Sequence, residues 1–375
     1  MNPLEFHLKN KGKIKIALTE PITKENLPFA YTPGVALVSL AISNDKKLVN
    51  DYTWKNRVVA VVTDGSAILG IGNLGPEAAF PVMEGKAALF KQFADIDAVP
   101  ICLDTQNTEE IIQTIKNIAP SFGGINLEDI AAPRCFEIER RLREELSIPV
   151  MHDDQHGTAV VVLAGLLNAL KIRNSKIENI RVVLSGAGAA GTAITKLLIV
   201  AGVKYISIVD SGGILSSVRD DINDEKKKLL QQIGEPWAKG ELVDIVEGAD
   251  VFIGVSKPGV LTKDMIRTMA KDPIIFALAN PIPEIFPEEA IDAGAFIVST
   301  GRSDFPNQIN NVLAFPGIFK GALENKLTQF TDEHFLRVAH ALSSLVDNPS
   351  RENILPGVFD ERIVDAVSSV FKDEK

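Results

Sequence analysis

Two pairs of adjacent acids stand out, Glu128-Asp129 in INLEDI and Asp153-Asp154 in MHDDQHGT, each beside strongly apolar sequence. Uncompensated charge is expensive in such surroundings. Carboxylates grouped without cysteine suit a hard divalent cation, Mg2+ or Mn2+, although adjacent acids are equally at home on a solvated face. Neighbouring side chains diverge by about 100° on a helix, so Glu128 and Asp129 can share one ion only at a strand or helix end. His152 and His156 are four residues apart. HExxH requires Glu where Asp153 stands, so they read as polar supports and not zinc ligands. Lys86 lies in the apolar run PVMEGKAALF. Either its stem snorkels to the surface, or it is desolvated with a lowered pKa and serves as a general base. Tyr31, in PFAYTPGVA, is one of three tyrosines; an aromatic before a Pro-Gly turn ordinarily just packs.

A second chemistry is carried by Gly186-Ala187-Gly188-Ala189-Ala190-Gly191, which follows the strand-like RVVLS and opens an apolar helix. In G-x-G-x-x-G the first glycine permits the tight turn and the second lets backbone approach a pyrophosphate. The third lets helix and strand pack closely, and the helix N-terminus attracts the phosphates. Asp210 ends the next strand-like run, YISIVD, 19 residues beyond Gly191, where an acid accepts from the adenosine ribose hydroxyls. The cofactor expected is NAD or NADP, leaning to NAD because Ser-Gly-Gly-Ile-Leu follows Asp210 and Arg219 is the first cation after it. A second match, Gly70-Ile71-Gly72-Asn73-Leu74-Gly75, has an interrupted strand before it and Pro76 after it; it reads either as a connecting loop or as one that presents backbone N–H groups to a small anionic ligand.

The elements that must position these residues alternate as βαβ. In the first half Arg57–Thr63, Ala98–Leu103 and a short stretch at Pro149–Met151 read as strands, and Glu84–Phe93 and Thr108–Ile118 as helices. Thr158–Leu170 reads as a buried helix too short to span a membrane. In the second half Arg181–Ser185, Tyr205–Val209, Ala249–Val255, Ile274–Ala279 and Ala295–Thr300 read as five strands, with helices from Glu333 onward. The fold class expected is α/β: an N-terminal α/β domain over 1–155, then a Rossmann-like dinucleotide-binding domain with a parallel sheet and C-terminal helices over 156–375. The length of 375 residues fits two domains. A net charge of −10 argues against a nucleic-acid partner, which needs clustered Lys and Arg. Two cysteines without a CxxC exclude a disulfide scaffold, and MNPLEFHLKNKGKIKI has no signal-peptide core. A cytoplasmic protein with no membrane partner is expected.

Seven segments, in order from about residue 28 to 325, resemble malic enzymes, specifically the short bacterial form. They are PFAYTPGVA, VVTDGSAILGIGNLGPEAAFPVMEGKAALFK, INLEDIAAPRCFEIE, VMHDDQHGTAVVVLAGLLNAL, LSGAGAAGTAI, ALANPIPEI and STGRSDFPNQINNVLAFPGIFKGAL. The resemblance implies oxidative decarboxylation of malate to pyruvate and CO2 with reduction of NAD or NADP. It assigns Tyr31 as general acid and Lys86 as general base, Asp153 as an acid beside the lysine, and Glu128, Asp129 and Asp154 as ligands of Mn2+ or Mg2+. Asn280 and one of Asn310 or Asn311 resemble ligands of malate's carboxylate, and the loop Ala187–Ala190 matches the dinucleotide contact. It also implies a homodimer or higher oligomer. One departure is Ala67, where eukaryotic members carry an arginine for malate. A malolactic enzyme, an amino-acid dehydrogenase and a non-catalytic dinucleotide-binding module are the rival readings.

Overall fold

The computed structural model describes residues 2–372 apart from Leu69. The chain opens with short helices, α1 (Pro3–Asn10), α2 (Leu27–Ala30), α3 (Val35–Asn44) and α4 (Val49–Tyr52), none of which buries a residue. A four-stranded sheet follows, built from β1 (Val58–Thr63), β2 (Asp97–Cys102), β3 (Gly124–Leu127) and β4 (Val150–His152). Its order is β2-β1-β3-β4 and every pairing is parallel. The crossovers are helices, α5 (Pro76–Ala94), α6 (Thr108–Ile118) and α7 (Arg134–Glu145). All six residues of β1 are buried, as expected of a parallel strand covered on both faces by helices.

α8 (Asp153–Arg173) starts directly at the end of β4 and leads into a second sheet. That sheet contains β5 (Arg181–Ser185), β6 (Tyr205–Asp210), β7 (Gly213–Ile214), β8 (Val251–Gly254), β9 (Ile274–Ala277) and β10 (Ile297–Thr300). Its order is β10-β9-β8-β5-β6-β7, parallel throughout except for β7. α9 (Ala189–Val200), α10 (Asp224–Ile233), α11 (Leu242–Val246), α12 (Lys263–Thr268) and α13 (Pro287–Asp292) accompany it, and α14 (Phe315–Glu324), α15 (Asp332–Ser344) and α16 (Arg362–Ser369) close the chain. This is the doubly wound, Rossmann-like arrangement, and its strand order reverses beside β5, where such folds bind ligands.

The α/β class and the five expected second-half strands are present; β3 and the antiparallel β7 are additions. α8 is longer than expected. It is long and apolar enough to cross a membrane on length and composition alone, but 14 of its 21 residues are buried in the protein. Leu27–Asn44 passes the same test with nothing buried. One continuous core joins both sheets, running from Val59, Met83 and Phe90 through α8 to Val182 and Ile206. α14 packs back on the first half, with the rings of Phe315 and Phe319 4.7 and 5.4 Å from Phe90.

Candidate active site

The acid pairs occupy equivalent places, each just past the C-terminal end of a strand: Glu128-Asp129 after β3 and Asp153-Asp154 after β4. Along a strand, successive side chains point to opposite faces. That alternation breaks at Asp129, whose φ of 54° is left-handed, a conformation tolerated by Asp better than by most residues. Carboxylate oxygens of Glu128, Asp129 and Asp154 all lie within 4.8 Å of one another. Two backbone ties hold them: the Asp129 N–H donates to Asp154 Oδ2 at 2.8 Å, and the Ala67 N–H donates to the Asp129 carbonyl at 3.0 Å. Three hard oxygen donors at this spacing, two of the residues buried, fit a divalent cation.

Lys86 sits on the buried stripe of α5 with Ala79, Met83, Ala87 and Phe90. Its Nζ is 2.6 Å from Asp153 Oδ2 and 2.9 Å from Glu128 Oε1, and 4.3 Å from the centre of the Phe315 ring. Here the expected lowered pKa does not hold. Burial alone lowers it, but the carboxylates of Asp153 and Glu128 outweigh burial and raise the ammonium's pKa. The acids bear the opposite strain. Burial pushes Glu128 up to about 7 and Asp154 up to about 6, with neighbouring carboxylates adding to it and Lys86 opposing it. Asp153 rises to about 6 in the same way. The site therefore holds more buried negative charge than Lys86 neutralises.

Supporting residues that sequence reasoning missed surround this cluster. Asn126 donates to Glu128 Oε2 at 3.0 Å. Asp64, fully buried after β1, accepts from Arg134, Ser66 N–H and Ser66 Oγ. Glu139 on α7 accepts from the His152 N–H, Gln155 and His156. Burial raises Glu139, yet the charge and hydrogen bond of His156 hold it down to about 2. Its signal lay in spacing: Cys135, Ile138, Glu139 and Leu142 form the buried stripe of α7.

The glycine fingerprint turns from β5 into α9. Gly186 has φ +115°, and a Cβ there would lie 2.7 Å from the Val255 carbonyl oxygen. At Gly191 a Cβ would lie 1.9 Å from the Gly186 carbonyl oxygen, whereas at Gly188 it would meet open space. This is the pattern of a tight turn, a close helix–strand approach and a cradle left for a ligand. A cavity of about 620 Å³ opens there, lined by Gly186, Ala187, Gly188, Asp210, Lys226 and Ser256; Ala189 and Ala190 form the first turn of α9 beside it. Asp210 is less available than expected. Arg219 Nη1 and the Gly212 N–H donate to its Oδ1 at 2.8 Å, and Lys226 Nζ donates to its Oδ2 at 2.6 Å.

Asn280 follows β9 and is exposed, its carbonyl approached by Gly70 and its amide by Gly301. Asn310 accepts from the Val312 N–H at 3.0 Å. Asn311 packs against α8 at Gly157, and its side chain makes no hydrogen bond to the described residues. Tyr31 stands apart from the cluster. It caps α2 with 68% of its surface exposed.

Comparison with known proteins agrees with this geometry. Residues 9–110 and 105–143 match the malic enzyme N-terminal domain family, and residues 155–370 the malic enzyme NAD-binding domain family. The NAD-dependent malic enzyme of Geobacillus stearothermophilus is 55% identical over 95% of this chain and 75% of its own length. The bifunctional malic/malolactic enzyme of Bacillus subtilis is 53% identical over 97% of this chain and 90% of its own. The crystal structure of an NAD-dependent malic enzyme from Thermotoga maritima superposes with a TM-score of 0.96 at 50% identity, covering 100% of this chain and 99% of that one. With both halves matched end to end at such identity, the chain belongs to the malic enzyme family and is an oxidoreductase.

Proposed function

We propose that the protein oxidises (S)-malate at C2 and decarboxylates it at C4, giving pyruvate and CO2 with reduction of NAD or NADP, and that it also decarboxylates oxaloacetate. The observation that carries this reading is Lys86 clamped between Asp153 and Glu128 beside the three-carboxylate cluster. Glu128, Asp129 and Asp154 hold Mn2+ or Mg2+, which when bound supplies a Lewis acid for the substrate's C2 oxygen. Once Glu128 is engaged as a ligand, Lys86 keeps only Asp153 as a close anionic partner, and its proton is held less tightly. Lys86 gives that proton up to solvent and, as the neutral amine, accepts the C2 hydroxyl proton as C2 passes hydride to the nicotinamide, with Asp153 orienting the amine. After CO2 leaves, Tyr31 protonates C3 of enolpyruvate. Asn280 and one of Asn310 or Asn311 bind the substrate carboxylate through their amide nitrogens; the Val312 N–H bonds only the Asn310 oxygen, which leaves that side chain's nitrogen able to donate. The dinucleotide lies over Gly186–Gly191 with its adenosine ribose at Asp210, and NAD is preferred because Asp210 engages Arg219 and Lys226, the two cations that a 2′-phosphate would need.

We further infer a homodimer. Leu27–Asn44 has no buried residue, and Phe29, Leu37 and Leu40 are 78, 73 and 62% exposed. A contiguous apolar surface of this kind marks an interface, and burying it against a second copy would bring Tyr31 to the partner's Lys86. The N-terminal catalytic unit spans 1–155 and the dinucleotide unit 156–375, in a cytoplasmic enzyme.

Product analysis from malate, with NAD and NADP compared and Mn2+ present or chelated, tests the reaction. Pyruvate supports it; lactate alone supports the malolactic reading that the name of the Bacillus subtilis relative favours. Mixing Tyr31→Phe with Lys86→Met protein tests the shared site. If it is shared, mixed dimers regain activity, because one of their two sites then has both residues intact; no regain refutes it.

A further inference from the structure

α8 begins without a side-chain cap of its own: His152 occupies the N-cap position and makes no capping hydrogen bond. The missing restraint comes from α7. Glu139, 5% exposed, accepts the His152 N–H on Oε1 at 2.9 Å and Gln155 Nε2 on Oε2 at 3.1 Å. His156 Nε2 lies 2.9 and 3.1 Å from its two oxygens, and the His156 ring stacks on Phe335 with centroids 4.5 Å apart. One carboxylate thus grips the residue before Asp153 and the two residues after Asp154. The same helix follows the loop that leaves β3 through Glu128 and Asp129. The two strand ends are paired in the sheet, Leu127 beside His152, and joined again by the Asp129 N–H to Asp154 bond; Glu139 adds a tie from α7, the helix that follows the β3 exit, to the first turn of α8.

We propose that Glu139 is a positioning residue for the divalent-cation site: it fixes the first turn of α8 relative to the β3 exit and so sets the spacing between Asp154 and the Glu128-Asp129 pair. It touches neither substrate nor cation. The inference rests on the metal-dependent reading above. Outer partners of metal ligands change affinity by about 10–100-fold when removed, and the loss here falls on cation binding and not on the chemical step.

The test is Mn2+ binding to the full-length protein, followed by the electron paramagnetic resonance signal of free Mn2+, for wild type, Glu139→Ala and Glu139→Gln. Wild type is expected to bind one Mn2+ per chain. Glu139→Ala is expected to bind about 10–100-fold more weakly, with kcat returning towards wild type at saturating Mn2+. Glu139→Gln keeps an acceptor for the His152 N–H, and its affinity should fall between the two. Unchanged far-UV circular dichroism establishes that each variant is folded, and Glu139→Gln carries the test if Glu139→Ala does not fold. Folded variants that bind Mn2+ within twofold of wild type overturn the inference, as does a kcat that stays depressed at saturating Mn2+. Wild type that binds no Mn2+ overturns the metal reading itself, and this inference with it.

Discussion

Replacing Lys86 by methionine should separate the chemical role of this lysine from its structural one. Methionine fills a similar volume against Phe315 but removes the ammonium 2.6 Å from Asp153 and 2.9 Å from Glu128. Removing one partner of a buried ion pair costs about 3–5 kcal/mol, because the remaining charge is uncompensated. That cost depends on pH. Asp153 and Glu128 are already raised to about 6 and 7, above their ordinary values, mainly by burial. Without the lysine they rise further. An acid whose pKa is raised in the folded protein binds a proton that the unfolded chain has released, so stability falls as pH rises through that window. The deficit of Lys86→Met should therefore be largest near about pH 8 and shrink below about pH 5, where both carboxyls are protonated in both folded proteins. Denaturant unfolding of both proteins across this range measures it. Initial rates with malate should fall by about 10²–10⁴-fold, the usual worth of a positioned general base. Turnover within tenfold of wild type, or a stability deficit that does not vary with pH, would refute the reasoning.

Three further outcomes are expected. A Cβ at Gly157 would lie 1.9 Å from Asp153 Oδ1 and 3.2 Å from the Asn311 Cβ, so Gly157→Ala should displace the Asp153 carboxylate from Lys86. Overpacking of about 1–3 kcal/mol is partly offset by the roughly 1 kcal/mol helix preference of alanine; kcat should drop at least about tenfold while the melting temperature moves little. Asp210→Ala should leave Arg219 and Lys226 without their shared carboxylate and shift the kcat/KM ratio towards NADP by about tenfold or more, the scale of one charge-assisted hydrogen bond; Lys226→Ala should weaken NADP use selectively. Glu139, held near 2 against an ordinary value of 4.5, stabilises the fold by up to about 3 kcal/mol above its unfolded pKa and loses this as pH falls towards 2. The stability gap between wild type and Glu139→Gln should narrow across that interval in denaturant titrations.

Much of the frame was legible because burial leaves a plain record in parallel strands. RVVLS coincides residue for residue with β5, and the glycines after it match the turn into α9. β3 escaped notice because GINL is four residues long, opens on glycine and contains the polar Asn126. α5 begins eight residues before the expected Glu84: Pro81 reads as a stop, yet the helix continues through it, giving up the bond that residue 81 would donate to the Glu77 carbonyl. α8 was expected only from Thr158, because its first turn is polar; that turn is where Asp153 and Asp154 lie. The family resemblance implied that Asp153 stands beside Lys86 and that Glu128, Asp129 and Asp154 come together; composition and spacing alone did not make that convergence legible. The left-handed turn at Asp129, the clamp on Lys86 and the masking of Asp210 by two cations each depend on contacts between residues far apart in sequence.

α8 also bears on how this architecture can be taken apart. Its first turn supplies Asp153 and Asp154 to the N-terminal sheet's site, while its length packs along α9 behind the glycine fingerprint. The boundary proposed at 155 falls inside that first turn, and the apolar core crosses it without a seam. The two halves are thus modules by topology but not by physics. A chimaera that exchanges the dinucleotide unit at this point must inherit a helix whose far end was shaped by one parent and whose first turn was shaped by the other. Recombination that keeps β4 and α8 together, and cuts in the turn before β5, preserves the part on which both halves depend.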